Sequence, residues 1–324
     1  MKMLKIFSDA PLTDSALKLL KTGVGTNELI FPSKPGNSVL AKSEADPTFA
    51  EAEVAFGQPD LLNIAGSSRL RWMHLTSAGY TRYDTPEFRS LAKTRGLIAT
   101  NSSTVYAQPC AEHVLAFMLA QARRLPSALG SNCASGSPEW VDFRGTSTLL
   151  LRQKVVLLGF GAIAVKLAEM LRPFEMDLVA LRRQARGDET VRIISEAELP
   201  QALADADHVV NILPANKDSA HFISAERLAA MKPGAILYNI GRGATVDQSA
   251  LANSLHSGHL GAAWLDVTEP EPLPPGHPLL SAPNCFITPH IGGGQRAEAE
   301  ALVSHFLANL YRYCNGAPLM DRIM

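Results

Sequence analysis

What the chain lacks narrows its possibilities. Its 324 residues hold only four cysteines, Cys110, Cys133, Cys285 and Cys314, and none forms a CxxC pair. That scatter suits neither a zinc site nor a disulfide frame, and the thiols read as small buried hydrophobes of a reducing compartment. Charge of one sign is not in excess. Thirty Lys and Arg stand against 31 Asp and Glu, a formal charge of −1, so the electrostatics favour neither nucleic acid nor an anionic membrane. No run approaches the ~20 apolar residues of a membrane span. Charges at Lys2, Lys5 and Asp9 break MKMLKIFSDAPL before a signal-peptide core can form. His256 and His259 stand one helical turn apart, yet no cysteine or carboxylate completes a metal site with them. Repeats and low-complexity tracts are missing too. The expectation is a soluble cytoplasmic protein with no metal, no nucleic-acid partner and no membrane partner.

What is present suits a globular chain. Apolar residues make up 46%, and 23 Gly and 21 Pro are spread widely. At ~150 residues per domain the length provides for two cores. Short apolar runs alternate with amphipathic segments, the pattern of α/β architecture with parallel strands. In the N-terminal third, Lys5–Phe7, Glu53–Phe56, Trp72–Thr76 and Leu97–Ala99 read as strands, with Ser15–Leu20 and Pro59–Leu70 as helices. A long apolar helix is expected over Ala111–Arg124, closed by Pro126, and the Ser- and Gly-rich residues 127–150 read as a surface connection. From Lys154 six strands follow: Lys154–Leu158, Leu178–Leu181, His208–Ile212, Ala235–Ile240, Gly261–Asp266 and Cys285–Thr288. Ser195 and Glu198 have capping-box spacing before Leu199, and Ser224 can cap the helix carrying Leu228 and Met231. TEPEPLPPGHP is too proline-rich for a helix, whereas Gln295–Tyr313 carries a helical apolar face.

VVLLGFGAIAVKLAEMLRPF is a strand, a glycine turn and a helix in succession. Gly159 permits the tight turn, Gly161 lets a pyrophosphate approach the backbone, and Ala164 packs helix on strand. Amides of Ala162 and Ile163 at the helix start would bind the anion. A carboxylate at the end of the next strand would bond the 2′-hydroxyl of NAD. Asp177 begins that strand instead, and its end reads Leu181-Arg182-Arg183-Gln184-Ala185-Arg186. Guanidinium groups there suit a 2′-phosphate, which favours NADP over NAD; a merely solvated loop is the alternative.

In doubly wound sheets ligands bind beyond the carboxyl ends of the strands. Those ends carry Gly159, Arg182, Pro214, Gly241-Arg242-Gly243, Asp266 with Glu269 and Glu271, and His290 with Gly292–Gly294. A cation, carboxylates and an imidazole at one rim match hydride transfer to a carbonyl. An arginine clamps a carboxylate and polarises the neighbouring C=O, a histidine supplies the proton, and an adjacent carboxylate supports its imidazolium.

At these residues the chain resembles the D-isomer-specific 2-hydroxyacid dehydrogenases. The resemblance runs from about Leu70 onward, over TSAGYTRYD, NSSTVYAQPCAEHVLAFMLA, VVLLGFGAIA, NIGRGATVDQSAL, GAAWLDVTEPEPLP and ITPHIGGG. It implies a Rossmann-type cofactor domain and a smaller flavodoxin-like α/β substrate domain. The substrate domain would comprise 1–103 and 295–324, the dinucleotide domain 104–294. Arg242 matches the family's substrate-binding arginine, His290 its acid/base histidine and Glu271, rather than Glu269, the supporting glutamate. Asp266 matches the residue that holds the nicotinamide carboxamide, and the Ala78–Gly79 backbone the loop that binds the substrate carboxylate. Cofactor contacts are expected from Gly159, Gly161, Ala162, Ile163, Arg182, Arg183, Pro214, Ile240, Gly241, Asp266, Gly292 and Gly293. The substrate side chain would meet loops near Gly57-Gln58 and Tyr80-Thr81-Arg82, with Arg82 hinting at a second anionic group. The resemblance further implies a homodimer and a small 2-keto or 2-hydroxy acid substrate, glyoxylate and hydroxypyruvate among them. A non-catalytic, dinucleotide-sensing co-repressor on the same fold is the alternative.

Overall fold

The computed structural model describes residues 3–34 and 45–324. Chain contacts divide it into two compact units, Met1–Tyr106 with Gly294–Met324, and Ala107–Gly293. The first begins β1 (Lys5–Ser8), α1 (Asp14–Gly23), β2 (Glu28–Ile30), β3 (Val54–Gly57), α2 (Leu61–Gly66), β4 (Trp72–Leu75), α3 (Pro86–Arg95), β5 (Ile98–Thr100). Helix α4 (Ser103–Ala122) carries the chain on to α5 (Leu125–Ser131) and α6 (Pro138–Thr146). Then come β6 (Lys154–Leu158), α7 (Ala162–Leu171), β7 (Asp177–Leu181), β8 (Arg192–Ile194), α8 (Leu199–Asp205), β9 (His208–Asn211) and α9 (Ala225–Ala230). The series ends with β10 (Ile236–Asn239), α10 (Gln248–His256), β11 (Ala262–Leu265), β12 (Cys285–Ile287) and α11 (Glu298–Cys314).

In the first unit the sheet order is β2-β1-β3-β4-β5, with every pair parallel. Its helices start where the sequence offers caps. The Ala16 N–H donates to Thr13 Oγ1 at 3.2 Å ahead of α1, and the Phe88 N–H to Thr85 Oγ1 at 3.2 Å ahead of α3. Helix α11 returns to this unit and packs on α1, and Thr100 bridges antiparallel to Arg322 at the edge beyond β5.

The second unit is a seven-stranded parallel sheet, order β12-β11-β10-β9-β6-β7-β8. From β6 the chain winds outward through β7 and β8, then returns to lay β9 on the other side, Val155 pairing with both Leu178 and His208. That reversal makes the end of β6 the switch point where such sheets bind ligands. Strands β9 and β11 are buried at every residue, as both faces of a parallel sheet are covered by helices.

Four local expectations are corrected. Residues 127–150 are not an irregular connection, since α5 and α6 occupy most of them. The Ala111–Arg124 helix begins at Ser103, accommodates Pro109 and stops at Ala122; Arg124 turns left-handed (φ 55°), so Pro126 opens α5 instead of closing α4. Strands β2 and β8 went unanticipated because three residues with a charged first member carry almost no periodicity. Ser195 does not cap α8: Glu198 is the N-cap, and its carboxylate reaches back to the Ser195 N–H at 2.9 Å.

Candidate active site

The turn after β6 is shaped for an anion. Gly159 has φ +100°, a conformation that side chains rarely adopt, and α7 starts at Ala162 without a side-chain cap. Its first helical bond runs from the Val165 N–H to the Gly161 carbonyl, so the amides of Ala162 and Ile163 have no acceptor within the helix. A Cβ added at Gly161 would meet no protein atom within 4 Å, so the space over this turn is open to a pyrophosphate. Beyond the ends of β6 and β7 lies a cavity of about 1140 Å³ with apolar walls from Leu181, Ile194, Leu213 and Phe222, fit for a nucleoside. Arg182 and Arg183 stand at its rim, each already paired. Arg182 Nη1 lies 3.1 Å from Glu189, whose carboxylate also accepts the Arg186 and Gly187 N–H groups; Arg183 meets Asp218 at 2.8 Å. Pro214 follows β9, and its carbonyl accepts the Ser219 hydroxyl at 2.5 Å. A dinucleotide therefore fits these residues, with phosphates on the α7 start and adenosine in the cavity.

Between β10 and β11 the backbone comes unusually close. A Cβ on Gly241 would fall 2.6 Å from the Leu213 carbonyl oxygen, and one on Gly243 2.0 Å from the Thr268 carbonyl. One on Gly292 would fall 2.5 Å from the Ile240 side chain, so these positions take glycine for space alone. Gly293 ends the unit. Arg242, flanked by two of these glycines, donates through Nη1 to the Gly241 carbonyl at 2.6 Å. Burial lowers its pKa from the usual guanidinium value, and the nearby Glu271 carboxylate opposes that shift.

His290 and Glu271, 19 residues apart, meet with Nδ1 and Oε2 at 2.9 Å. The other Glu271 oxygen accepts the Thr268 N–H at 2.9 Å, which fixes the carboxylate's direction. Glu269 stands apart, its backbone held by the Gln248 side chain, at 3.1 Å on the N–H. His290 has φ +53°, a strained setting for a branched ring side chain and one that concentrates at functional sites. Engagement of Nδ1 by Glu271 leaves Nε2 as the ring nitrogen available to a substrate oxygen.

Asp266, only 3% exposed, turns its carboxylate to the protein. Oδ1 accepts the Ile291 N–H at 2.9 Å and the Thr288 hydroxyl at 2.6 Å, and Oδ2 accepts the Gly292 N–H at 2.9 Å. The resemblance assigns this group to the nicotinamide carboxamide; in the structure it also holds the loop that carries His290.

In the first unit, the carbonyls of Ala78 and Gly79 are held by Asn101 Nδ2 and Ser77 Oγ, each at 2.6 Å. Arg82, the residue hinting at a second anionic group, donates through Nη2 to the Pro59 carbonyl at 2.6 Å and the Gln58 carbonyl at 3.2 Å. The Gln58 amide in turn donates to Ser77 Oγ at 2.9 Å.

Sequence reasoning missed the residues that brace these groups, Asn211, Asn239, Thr245, Thr288 and His113. For the two asparagines a signal existed, since each closes an otherwise apolar strand, HVVN and ILYN.

Comparison with known proteins agrees with this geometry. Residues 115–292 match the model of the D-isomer specific 2-hydroxyacid dehydrogenase NAD binding domain. Glyoxylate/hydroxypyruvate reductase B of Pectobacterium atrosepticum is 33% identical over 279 residues, covering 83% of this chain and 85% of that protein. The glyoxylate reductase/hydroxypyruvate reductase of Mus musculus is 35% identical over 238 residues, 72% of this chain and 70% of its own. Among solved structures, a Thermus thermophilus protein superposes with a TM-score of 0.75 at 29% identity, covering 99% of this chain and all of its own. A Xanthobacter autotrophicus D-isomer specific 2-hydroxyacid dehydrogenase, solved with NADPH, reaches 0.80 at 24% identity, over 100% of this chain and 98% of that one. This chain belongs to the D-isomer specific 2-hydroxyacid dehydrogenases, enzymes dependent on a nicotinamide dinucleotide.

Proposed function

We propose that the enzyme reduces small 2-keto acids of the glyoxylate and hydroxypyruvate class, with NADPH preferred over NADH. The observation that carries the reading is the Glu271–His290 pair, held at 2.9 Å beside a loop braced by Asp266, within the same unit as the half-buried Arg242. The bound nicotinamide supplies the hydride. His290 gives a proton from Nε2 to the carbonyl oxygen, Glu271 holds the imidazolium through Nδ1, and Arg242 grips the substrate carboxylate and polarises the carbonyl. Asp266 acts by holding the His290 loop. The NADPH preference rests on Arg182 and Arg183 at the end of β7, the place where a carboxylate would bond the 2′-hydroxyl of NAD; Glu189 there is engaged by Arg182 and by the Arg186 and Gly187 N–H groups. Exposed apolar side chains on α5, α6 and the segment after them, Leu125, Leu129, Val141, Leu149 and Leu151, support a homodimer through this strip. Residence in the cytoplasm accords with the scattered free thiols.

The test is steady-state reduction of glyoxylate, hydroxypyruvate and phenylpyruvate with each cofactor, beside sedimentation of the purified protein. His290→Ala and Arg242→Ala are expected to lose about 10²–10⁴ in kcat/KM with NADPH binding retained. No turnover of any keto acid by the unmodified enzyme, or undiminished turnover by both variants, would falsify the assignment. A monomer in solution would remove the dimer.

A further inference from the structure

Asp266 carries more than the His290 loop. A residue of α4 reaches the same oxygen: His113, one turn past Cys110, brings Nε2 to 3.5 Å from Asp266 Oδ1 and 3.3 Å from Thr288 Oγ1. The ring is not loose. It stands edge-on to Phe117 at 4.3 Å, Phe117 packs on Trp264 at 4.8 Å, and Trp264 on Phe286 at 4.3 Å, a row that ties α4 to β11 and β12. The imidazole therefore sits where its state of protonation acts on the carboxylate beneath the His290 loop.

Two states follow from this geometry. A neutral ring with its proton on Nε2 donates to the Thr288–Asp266 pair and leaves Oδ1 to the Ile291 N–H. A protonated ring forms an ion pair with Asp266, which draws Oδ1 from its loop donors and cancels the negative charge behind His290. We propose that His113 is a positioning residue of the keto-acid reduction described above: neutral, it fixes the Asp266 brace; protonated, it slackens the brace and lowers turnover.

Burial disfavours the charged ring and Asp266 favours it, burial being the stronger, so the switch lies on the acid side of an ordinary histidine. Cys110 also faces this carboxylate, and Arg242 faces Cys110. Cys110 is pushed up to about 12 by burial and stays a thiol, and Arg242 stays a cation, so neither changes charge in the same window. Glu271 and His290 form a pair of their own at 2.9 Å.

The proposal rests on the reductase reading and is tested so that the two can fail separately. His113→Gln keeps a donor without a titrating ring, and His113→Phe keeps the packing without a donor. In keto-acid reduction from pH 4.5 to 9, the unmodified enzyme is expected to lose kcat at the acid end through an ionisation that His113→Gln lacks. His113→Phe should lose about tenfold in kcat at every pH, the worth of one hydrogen bond expressed in the transition state, with the NADPH dissociation constant and thermal midpoint near the parent's. A second readout needs neither activity nor cofactor. In a His290→Gln background, which removes the neighbouring imidazole, the amide resonances of Ile291 and Gly292, both bonded to Asp266, should shift with the acid ionisation and should not when His113→Gln is added. Amide shifts that persist when His113→Gln is added overturn the proposal, as does an unchanged acid limb in the kcat profile of His113→Gln alone. An inactive parent whose amides titrate through His113 sinks the reductase reading alone.

Discussion

Arg242 owes its position to side chains that touch no substrate. Asn211 Nδ2 donates to Asn239 Oδ1 at 2.9 Å and to Thr245 Oγ1 at 2.7 Å. Asn239 Oδ1 also accepts the Gly241 N–H at 3.1 Å, and the Thr245 hydroxyl donates to the Arg242 carbonyl at 2.6 Å. All three side chains are fully or almost fully buried, so each polar atom depends on its partner. Asn239→Leu leaves the Gly241 N–H and one of the two Asn211 amide hydrogens unpaired, at a cost of about 1–3 kcal/mol per group. The expected result is a lowered thermal midpoint together with a 10- to 100-fold loss in kcat/KM for the keto acid, as the turn carrying Arg242 slackens. If calorimetry shows the midpoint lowered while kcat/KM holds, the network serves the fold and not the arginine. Arg242, Glu271 and His290 could be read as rim residues because each follows an apolar run. Among their braces, Asn211 and Asn239 are marked only as polar ends of their strands, and His113 is not marked at all, since it lies 153 residues from Asp266 along the chain and nothing local announces the contact.

Among elements, what could be read was whatever carried a period. The long strands of the second unit and the β6–turn–α7 motif were legible, whereas β2 and β8 are edge strands of three residues. Helices α5 and α6 lie hidden in a Ser- and Gly-rich stretch and bury no residue fully, so no apolar face marks them. Glycines in the readable motifs looked alike in sequence, yet the structure separates them into two kinds. At Gly243 an added Cβ strikes the Thr268 backbone at 2.0 Å; at Gly161 it meets nothing within 4 Å. Gly243→Ala must push the Thr268–Glu271 segment away, at about 1–3 kcal/mol, and part Glu271 from His290. Gly161→Ala leaves the fold intact and blocks only what approaches from outside. The expected pattern is a lower midpoint and lower kcat for Gly243→Ala. For Gly161→Ala it is an unchanged midpoint with NADPH binding weakened at least tenfold by fluorescence titration. Undiminished NADPH affinity in Gly161→Ala would place the pyrophosphate elsewhere.

For the molecule as a whole, acid sets a limit that works against its chemistry. Reduction of a carbonyl takes up a proton and is drawn forward as pH falls, but each unit holds a buried histidine that resists the same change. His74, bonded through Nδ1 to Thr100 Oγ1 at 2.7 Å in the first unit, is lowered to about 3 by burial. His208, with Nδ1 3.1 Å from the Tyr238 hydroxyl in the second, is lowered to about 4 for the same reason. In the unfolded chain both return to about 6.5. Below that value the unfolded chain binds protons that the folded one refuses, so each histidine's stabilising effect is present above pH 6.5 and is lost as pH falls towards its folded value. Asp46 and Glu198, lowered to about 2, add their loss only below the carboxylate range, which leaves the window between pH 6.5 and 5 to the histidines. Each contributes up to about 1.4 kcal/mol per pH unit there, or roughly 2 kcal/mol across the window. Urea unfolding at pH 7.5, 6 and 5 should therefore show stability falling in both units. His208→Gln, which keeps a polar partner for Tyr238 without a titrating ring, should reduce the dependence of the second unit, where His113 still contributes, and leave that of the first. Equal slopes in the parent and His208→Gln would mean that His208 is not the proton acceptor of the unfolded second unit.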